Sequence, residues 1–150
     1  MKIALGSDHA GFDLKEELEK QLVALGHEVI DVGAHSTEPS DYPDFSAAAA
    51  EAVVAGEAER GIILCGSGVG AAIVANKVRG VRAAICHDTY SAHQGVEHDD
   101  MNVLVLGSRI IGSELAKEIV RSFLGASFSN EERHRRRLGK LLAVESRYMR

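Results

Sequence analysis

The chain has few cysteines, no tryptophan and no long apolar run. The two cysteines among its 150 residues, Cys65 and Cys86, form no CxxC pair, so no disulfide framework is expected and a reducing cytosol is the default compartment. No apolar stretch approaches the ~20 residues that cross a bilayer. The first residues, Met1-Lys2-Ile3, lead straight into an apolar segment. We therefore predict a cytoplasmic protein with no signal peptide and no membrane partner.

Metal-binding patterns are missing as well. The chain has seven histidines, yet no HxH or HExxH spacing occurs among them. His87, His93 and His98 lie near Asp99 and Asp100, but this grouping matches no recognised ligand spacing. We therefore expect no catalytic metal.

Positive charge is scarce except near the C-terminus. The net charge is −5, which argues against nucleic acid as the main partner, whereas residues 131–150 carry seven Lys and Arg residues against three glutamates. The run from Arg133 to Arg137 can be interpreted as a solvated helix face. It is too short and too poor in neighbouring aromatic residues for a nucleic-acid site. Arg133 and Arg137 lie one helical turn apart, and two guanidinium groups on one face favour a phosphorylated small molecule.

Short apolar segments alternate with helix-like segments along the chain. The predicted strands are 3–5, 29–33, 62–65, 81–86 and 103–107, and the stretch 34–44 is predicted to be a loop. The strands are apolar on both faces, which is typical of a parallel sheet covered on both sides. We predict a single α/β domain over residues 1–150. It is a doubly wound, Rossmann-like, five-stranded parallel sheet with helices on both faces and a basic C-terminal helix over about 131–149.

Residues 61–76 carry the most unusual pattern in the chain. An apolar strand ends at Cys65, glycines follow at 66, 68 and 70, and a helix-like segment comes next. Glycines allow a tight turn whose N–H groups point at a ligand, and a helix N-terminus favours an anion. A thiol beside a cradle for an oxyanion predicts an active site, because the same environment favours the reactive thiolate.

Three other interpretations of this pattern remain. Cys65 can be a buried cysteine that closes a core strand. The spacing Gly66-x-Gly68-x-x-Ala71, with Asp88 further on, fits a loose dinucleotide-binding pattern, which would make the chain a nucleotide-binding module. A cysteine-dependent phosphatase would need an arginine six positions after the nucleophile, and Ala71 stands there.

Polar residues gather where the predicted strands end. Ligands of doubly wound sheets bind outside the carboxyl ends of the strands. Asp8 and His9 follow the first strand and Arg109 follows the fifth, so we expect all three near Cys65. Two further histidines at this edge, His35 and His87, are interpreted as solvated loop residues.

His98 is predicted to lie at the opposite edge of the sheet. It precedes the fifth strand, and a strand is roughly 17–20 Å long, so His98 should not reach Cys65 of its own chain. It is therefore either a surface residue or part of a site in another subunit.

Several segments, in order along nearly the whole chain, resemble the type B ribose-5-phosphate isomerases, a family that also includes galactose-6-phosphate and allose-6-phosphate isomerases. The matching segments are Gly6-Ser7-Asp8-His9-Ala10-Gly11-Phe12, Asp41-Tyr42-Pro43, Cys65-Gly66-Ser67-Gly68-Val69-Gly70, Ala75-Asn76-Lys77, residues 98–103 and Gly107-Ser108-Arg109. The resemblance implies an aldose–ketose isomerase that interconverts ribose 5-phosphate and ribulose 5-phosphate through an enediolate, without a metal or cofactor. A hexose 6-phosphate substrate, allose or galactose, is the alternative.

The resemblance also implies roles for individual residues. Cys65 would carry the proton between C1 and C2, and His98 would assist opening of the furanose ring. Ser67 would stabilise the enediolate together with the backbone of residues 66–70, that is, of Gly66, Ser67, Gly68, Val69 and Gly70.

The remaining roles concern binding and assembly. The substrate would contact Asp8, His9 and Asp99, with Tyr42 close by, and Arg109, Arg133 and Arg137 would hold its phosphate. The family implies a homodimer, in some cases paired into a tetramer, with sites shared between subunits. Ser67 stands where many members have threonine, and Asp99 where asparagine is usual.

Overall fold

Five strands alternate with helices along the chain. The computed structural model describes residues 1–149, and Arg150, the last residue of the predicted domain, lies outside the described residues. The elements are β1 (Lys2–Ser7), α1 (Phe12–Ala24), β2 (Glu28–Gly33), α2 (Tyr42–Val54), β3 (Arg60–Cys65), α3 (Val69–Ala75), β4 (Ala83–Ile85), α4 (Thr89–Asp99), β5 (Val103–Gly107), α5 (Ser113–Leu124) and α6 (Glu132–Tyr148). Over residues 1–149, each helix is too short or too polar to cross a membrane.

The strands form one parallel sheet in the order β2-β1-β3-β5-β4, with helices on both faces. One face packs against α1, α4 and α5, and the other against α2 and α3. On α1, Leu18 and Leu22 lie one helical turn apart on the inner face and are completely buried. On α2, small alanine side chains let the helix lie close to the sheet. The predicted five-stranded α/β architecture is confirmed.

The order of the strands in the sheet places the ends of β1 and β3 at a topological switch point, where the direction of the strand connections reverses. β1 pairs with β2 on one side and with β3 on the other, so the connections after β1 and β3 leave in opposite directions. Such a point opens a crevice at the carboxyl edge of a doubly wound sheet. Asp8 follows β1 and Cys65 ends β3, so the fold brings these two residues to that crevice.

Several element boundaries differ from the predictions. The helix α2 begins at Tyr42, inside the stretch predicted to be a loop, because Pro43 occupies its first turn, where the missing N–H costs nothing. The strand β4 is shorter than predicted, since the Arg82 N–H is taken by the Asn102 side chain at 2.7 Å instead of a neighbouring strand.

The outer edge of β4 is partly closed by a side chain. The Asn76 amide donates to the Ala83 carbonyl at 2.9 Å and accepts from the Ala83 N–H at 2.9 Å. The amide therefore makes the two backbone hydrogen bonds that a neighbouring strand would make with Ala83. Asn76 belongs to one of the segments that carried the family resemblance.

The predicted basic helix is α6, and it is largely exposed. Of its residues, His134 alone is buried. The apolar side chains Leu141, Leu142 and Val144 remain exposed, although each would favour burial. The helix is attached to its own chain near its end, where the Glu145 carboxylate accepts from the Gly80 N–H at 2.9 Å.

Candidate active site

The turn after β3 holds a sulfur atom against a backbone donor. Cys65 is 5% exposed, and the Gly68 N–H donates to its Sγ at 3.2 Å. Gly68 has φ of 84°, a left-handed conformation that glycine adopts without strain, and the turn needs it to aim this N–H at the sulfur. A donor aimed at sulfur stabilises negative charge there. The glycines that follow Cys65 therefore allow a backbone donor to reach its sulfur.

Ser67 lies at the tip of the same turn. Its Oγ accepts from the Val69 N–H at 3.2 Å, so its own hydroxyl proton stays available to a ligand. Val69 and Gly70 form the first residues of α3. The turn therefore combines an acceptor sulfur with a hydroxyl donor.

The segment after β5 brings a cation to this turn. The Ser108 N–H donates to the Cys65 carbonyl at 2.9 Å, and the Arg109 N–H donates to the Gly66 carbonyl at 3.0 Å. The Arg109 guanidinium lies over Gly66, with Nη1 3.4 Å from the position that a Cβ of Gly66 would occupy. Two backbone hydrogen bonds thus fix the backbone of this segment against the turn, and the permanent positive charge over Gly66 suits an anionic ligand.

A cavity of about 360 Å³ opens at this edge of the sheet. The residues that line it come from the ends of β1, β3 and β5 and from α2 and α3: Asp8, Tyr42, Cys65, Gly66, Ser67, Gly70, Arg109 and Ile110. Of these, Ile110 was not predicted from the sequence. The structure therefore places seven of the fourteen candidate residues in the lining of one cavity.

Asp8 and His9 are held by backbone groups. Asp8 is buried, and its Oδ1 accepts from the Gly11 N–H at 3.1 Å. His9 lies beside the cavity lining, and its Nδ1 lies 3.1 Å from the Ser40 nitrogen and 3.2 Å from the Ser40 carbonyl oxygen. Sequence reasoning missed Ser40, which lies in the long stretch before α2.

Tyr42 forms one wall of the cavity. Its ring packs so closely on Gly70 that a Cβ there would lie 2.6 Å from the Cε2 and Cζ atoms. A side chain at position 70 would therefore displace the Tyr42 ring, so glycine here permits a close contact and does not serve an unusual backbone angle. This contact between α2 and α3 joins the Tyr42 segment to the Cys65 turn.

The four other candidate residues lie elsewhere. His98 and Asp99 end α4, and Arg133 and Arg137 lie on α6, none of them in the cavity lining. The connection from α4 enters β5 at its amino end, where the Asn102 carbonyl accepts from the Gly61 N–H of β3. Cys65 pairs with Gly107 at the other end of these strands, about 13 Å along β5. The predicted placement of His98 at the opposite edge is confirmed, on a helix end and not in a loop.

His98 belongs to a second cluster of polar residues, formed by His98, Arg133, His134 and Arg137, which we call the α4–α6 cluster. The rings of His98 and His134 stack with their centroids 4.0 Å apart. The Arg133 Nε lies 3.3 Å from His134 Nε2. Sequence reasoning missed His134, because a histidine within a run of arginines is more typical of an exposed helix face.

His87 also differs from its interpretation as a solvated loop residue. Its Nε2 accepts from the Gly107 N–H at 2.9 Å, and the ring is half-buried. The reason is that β4 ends before β5 does, which leaves the Gly107 N–H without a strand partner. His87 therefore helps to hold the segment that carries Arg109.

A group of carboxylates away from the cavity is partly neutralised by a buried lysine. Glu16, Glu19 and Asp31 lie close enough together to share a cation, the one such group in residues 1–149. The buried Lys15 ammonium lies 2.7 Å from the Asp31 carboxylate and 3.1 Å from that of Glu16. The lysine supplies the positive charge there, so the group has a structural explanation.

Comparison with known proteins gives consistent results. A sequence model of the ribose/galactose isomerase family matches residues 3–141. Ribose-5-phosphate isomerase B of Escherichia coli K12 is 49% identical over 146 residues, which cover 97% of each chain. D-erythrulose-4-phosphate isomerase 2 of Mycolicibacterium smegmatis is 40% identical over 148 residues, again 97% of each chain. The solved structure of Clostridium thermocellum ribose-5-phosphate isomerase B superposes with a TM-score of 0.96 at 49% identity and covers 99% of both chains.

Proposed function

This chain belongs to the ribose/galactose isomerase family, and we propose that it interconverts ribose 5-phosphate and ribulose 5-phosphate. The observation that carries the proposal is Cys65, which lines a cavity together with Arg109 and whose sulfur accepts from a backbone N–H. An aldose–ketose isomerisation needs one base that reaches two adjacent carbons and a preorganised site for the oxyanion. The cavity offers both.

The proposed proton transfer runs through the thiolate of Cys65. The sulfur takes the proton from C2 of the open-chain aldose, the electron pair of that C–H bond forms the C1–C2 double bond, and the carbonyl π pair moves onto O1, which gives the enediolate. The proton of the O2 hydroxyl then passes to O1, and the C2–O2 double bond forms as the electron pair of the C1–C2 double bond takes the proton back from the thiol at C1, which gives the ketose. The Ser67 hydroxyl and those N–H groups of the turn that are not engaged by Cys65 Sγ and Ser67 Oγ stabilise the negative oxygen, because they are fixed before the charge develops.

The phosphate end of the substrate is proposed to bind the arginines. Arg109 is already in the cavity, and Arg133 and Arg137 provide two further guanidinium groups on one face of α6. Asp8 and Asp99 are proposed to contact sugar hydroxyls, with His9 and Tyr42 beside them.

We further propose that two copies of the chain complete each site. His98, Asp99, Arg133 and Arg137 lie outside the Cys65 cavity of their own chain, at or beyond the other edge of the sheet. A symmetric pair would bring the α4–α6 cluster of one subunit to the cavity of the other. The exposed apolar residues Leu141, Leu142 and Val144 of α6 suit such an interface. A tetramer would pair two of these dimers.

A substrate panel tests the function. We expect kcat/KM for ribose 5-phosphate to exceed the values for allose 6-phosphate and galactose 6-phosphate by about tenfold or more, since one extra carbon must fit the same cavity. Purified protein is assayed with each sugar phosphate, and product is measured by NMR, with free ribose as the control. A higher value for either hexose phosphate would change the assigned substrate, and no turnover of any of the three would refute the isomerase function.

The packing of Gly107 predicts a strong effect on the same reaction. A Cβ at 107 would lie 2.5 Å from the Ser67 carbonyl oxygen, so Gly107→Ala must push the Ser67 turn out of place. We expect kcat/KM to fall by about tenfold or more, because a small misplacement of catalytic groups is costly. Gly112→Ala is the matched control, since nothing lies within 4 Å of that position. Equal kinetics for the two variants would contradict this account of the turn.

A further inference from the structure

His134 is the one buried residue of α6, a helix that is otherwise exposed or half-buried. It is 2% exposed, and its ring lies against that of His98 with an interplanar angle of 26°. The proposed mechanism uses His98 and Arg133 but gives His134 no task. Both residues touch it, His98 through the ring face and Arg133 through Nε.

The neighbours of His134 determine where its proton lies. An arginine Nε–H can only donate, so His134 Nε2, 3.3 Å away, must accept. The proton of the neutral ring is therefore on Nδ1, which lies 2.5 Å from Ser129 Oγ. That oxygen also accepts from the Glu131 N–H at 3.1 Å and retains a lone pair for Nδ1–H. The Ser129 N–H donates to the Glu97 carbonyl at 3.0 Å, which ties this network to α4.

The charges around the ring favour its neutral form. Burial lowers the pKa of His134, and His98, Arg133 and Arg137 lower it further, whereas Glu131 acts in the opposite direction. A second proton would go onto Nε2 and face the Arg133 N–H, so protonation would break that contact. His98 is held from the other side by Gln94, whose Nε2 lies 2.9 Å from His98 Nδ1.

We propose that His134 is a positioning residue, fixed as the neutral Nδ1–H tautomer, that orients the His98 ring through stacking and the Arg133 guanidinium through Nε2. The inference rests on the proposed function, in which His98 assists ring opening and Arg133 binds phosphate. The two contacts use different parts of one imidazole. They can therefore be removed separately.

Two substitutions separate these contacts. His134→Phe keeps an aromatic face for His98 and removes the acceptor for Arg133, so KM for ribose 5-phosphate should rise by about tenfold while kcat stays within about threefold. His134→Gln can place an amide oxygen near the position of Nε2 and removes the ring, so kcat should fall by about tenfold with little change in KM. Ser129→Ala should also raise KM, but by a smaller factor than His134→Phe does. Ser127→Ala, at an exposed site two residues away, is the matched control.

Two results of the steady-state kinetics would refute the proposed role of His134. Parallel changes of kcat and KM in both His134 variants would indicate a merely structural role and refute the proposal. Changes below about twofold in both would refute it as well.

A spectroscopic measurement is independent of activity. The imidazole ¹⁵N shifts of the wild-type protein at pH 7 should show His134 protonated on Nδ1 and unprotonated on Nε2. A charged ring or the Nε2–H tautomer would overturn the assignment. Absence of ribose 5-phosphate turnover in the wild type would refute the proposed function. The tautomer of His134 could still be determined in that case, because the NMR measurement does not depend on activity.

Discussion

Cys65→Ala is expected to lower kcat for ribose 5-phosphate by a factor of about a thousand or more, because it removes the proposed base, and proton transfer by a positioned group contributes ~10²–10⁴. The proposed phosphate contact of Arg109 and the donors of the turn remain, so substrate should still bind. Isomerisation is followed by NMR and binding by calorimetry. Turnover within about tenfold of the wild type would remove Cys65 from the mechanism.

Cys86→Ala is the matched control for this experiment. Cys86 is also buried, and burial, with Asp88 nearby, raises the pKa of its thiol to about 11, so it remains protonated at neutral pH. It does not line the cavity around Cys65. This variant should retain activity, and the contrast between the two cysteines separates loss of the base from loss of a buried thiol.

Mixing two inactive variants should restore activity. If each site takes Cys65 from one subunit and His98 from the other, a hybrid of Cys65→Ala and His98→Ala chains contains one intact site and one doubly altered site. Random exchange of equal amounts places intact sites at about a quarter of all positions, so the mixture should reach about a quarter of wild-type activity. Each variant alone should stay near its own low value.

The control for this mixture is a combination that cannot form an intact site. Cys65→Ala chains mixed with chains that carry both substitutions should show no recovery. Subunit exchange is verified by native mass spectrometry. Exchange without recovery in the first mixture would contradict a site shared between subunits.

The residues around the cavity were predictable from the sequence because the carboxyl ends of parallel strands lie at the same edge of a sheet. Asp8, Cys65 and Arg109 each follow the end of an apolar strand, and the carboxyl ends of parallel strands lie at one edge of a sheet. The position of His98 followed from the length of a strand in the same way. These predictions needed chain direction and strand length, both of which the apolar pattern provides.

The polar contacts between distant segments could not be predicted in this way. Ser40 holds His9, and Ser129 holds His134, through hydrogen bonds whose partners depend on the path of a loop and on the docking of α6. Neither serine occupies a periodic position in the sequence. The start of α2 at Tyr42 could have been recognised, since a proline in a first helical turn is a known signal.

The Asn76 amide has a consequence for how copies of this protein can associate. The outward-facing groups of a short edge strand normally invite continuation of the sheet into another molecule. At Ala83 both groups are already engaged by an internal side chain, so an incoming strand would have to displace it. Asn76→Ala would expose these groups and open a route to edge-to-edge aggregation, which light scattering of the variant and the wild type would measure.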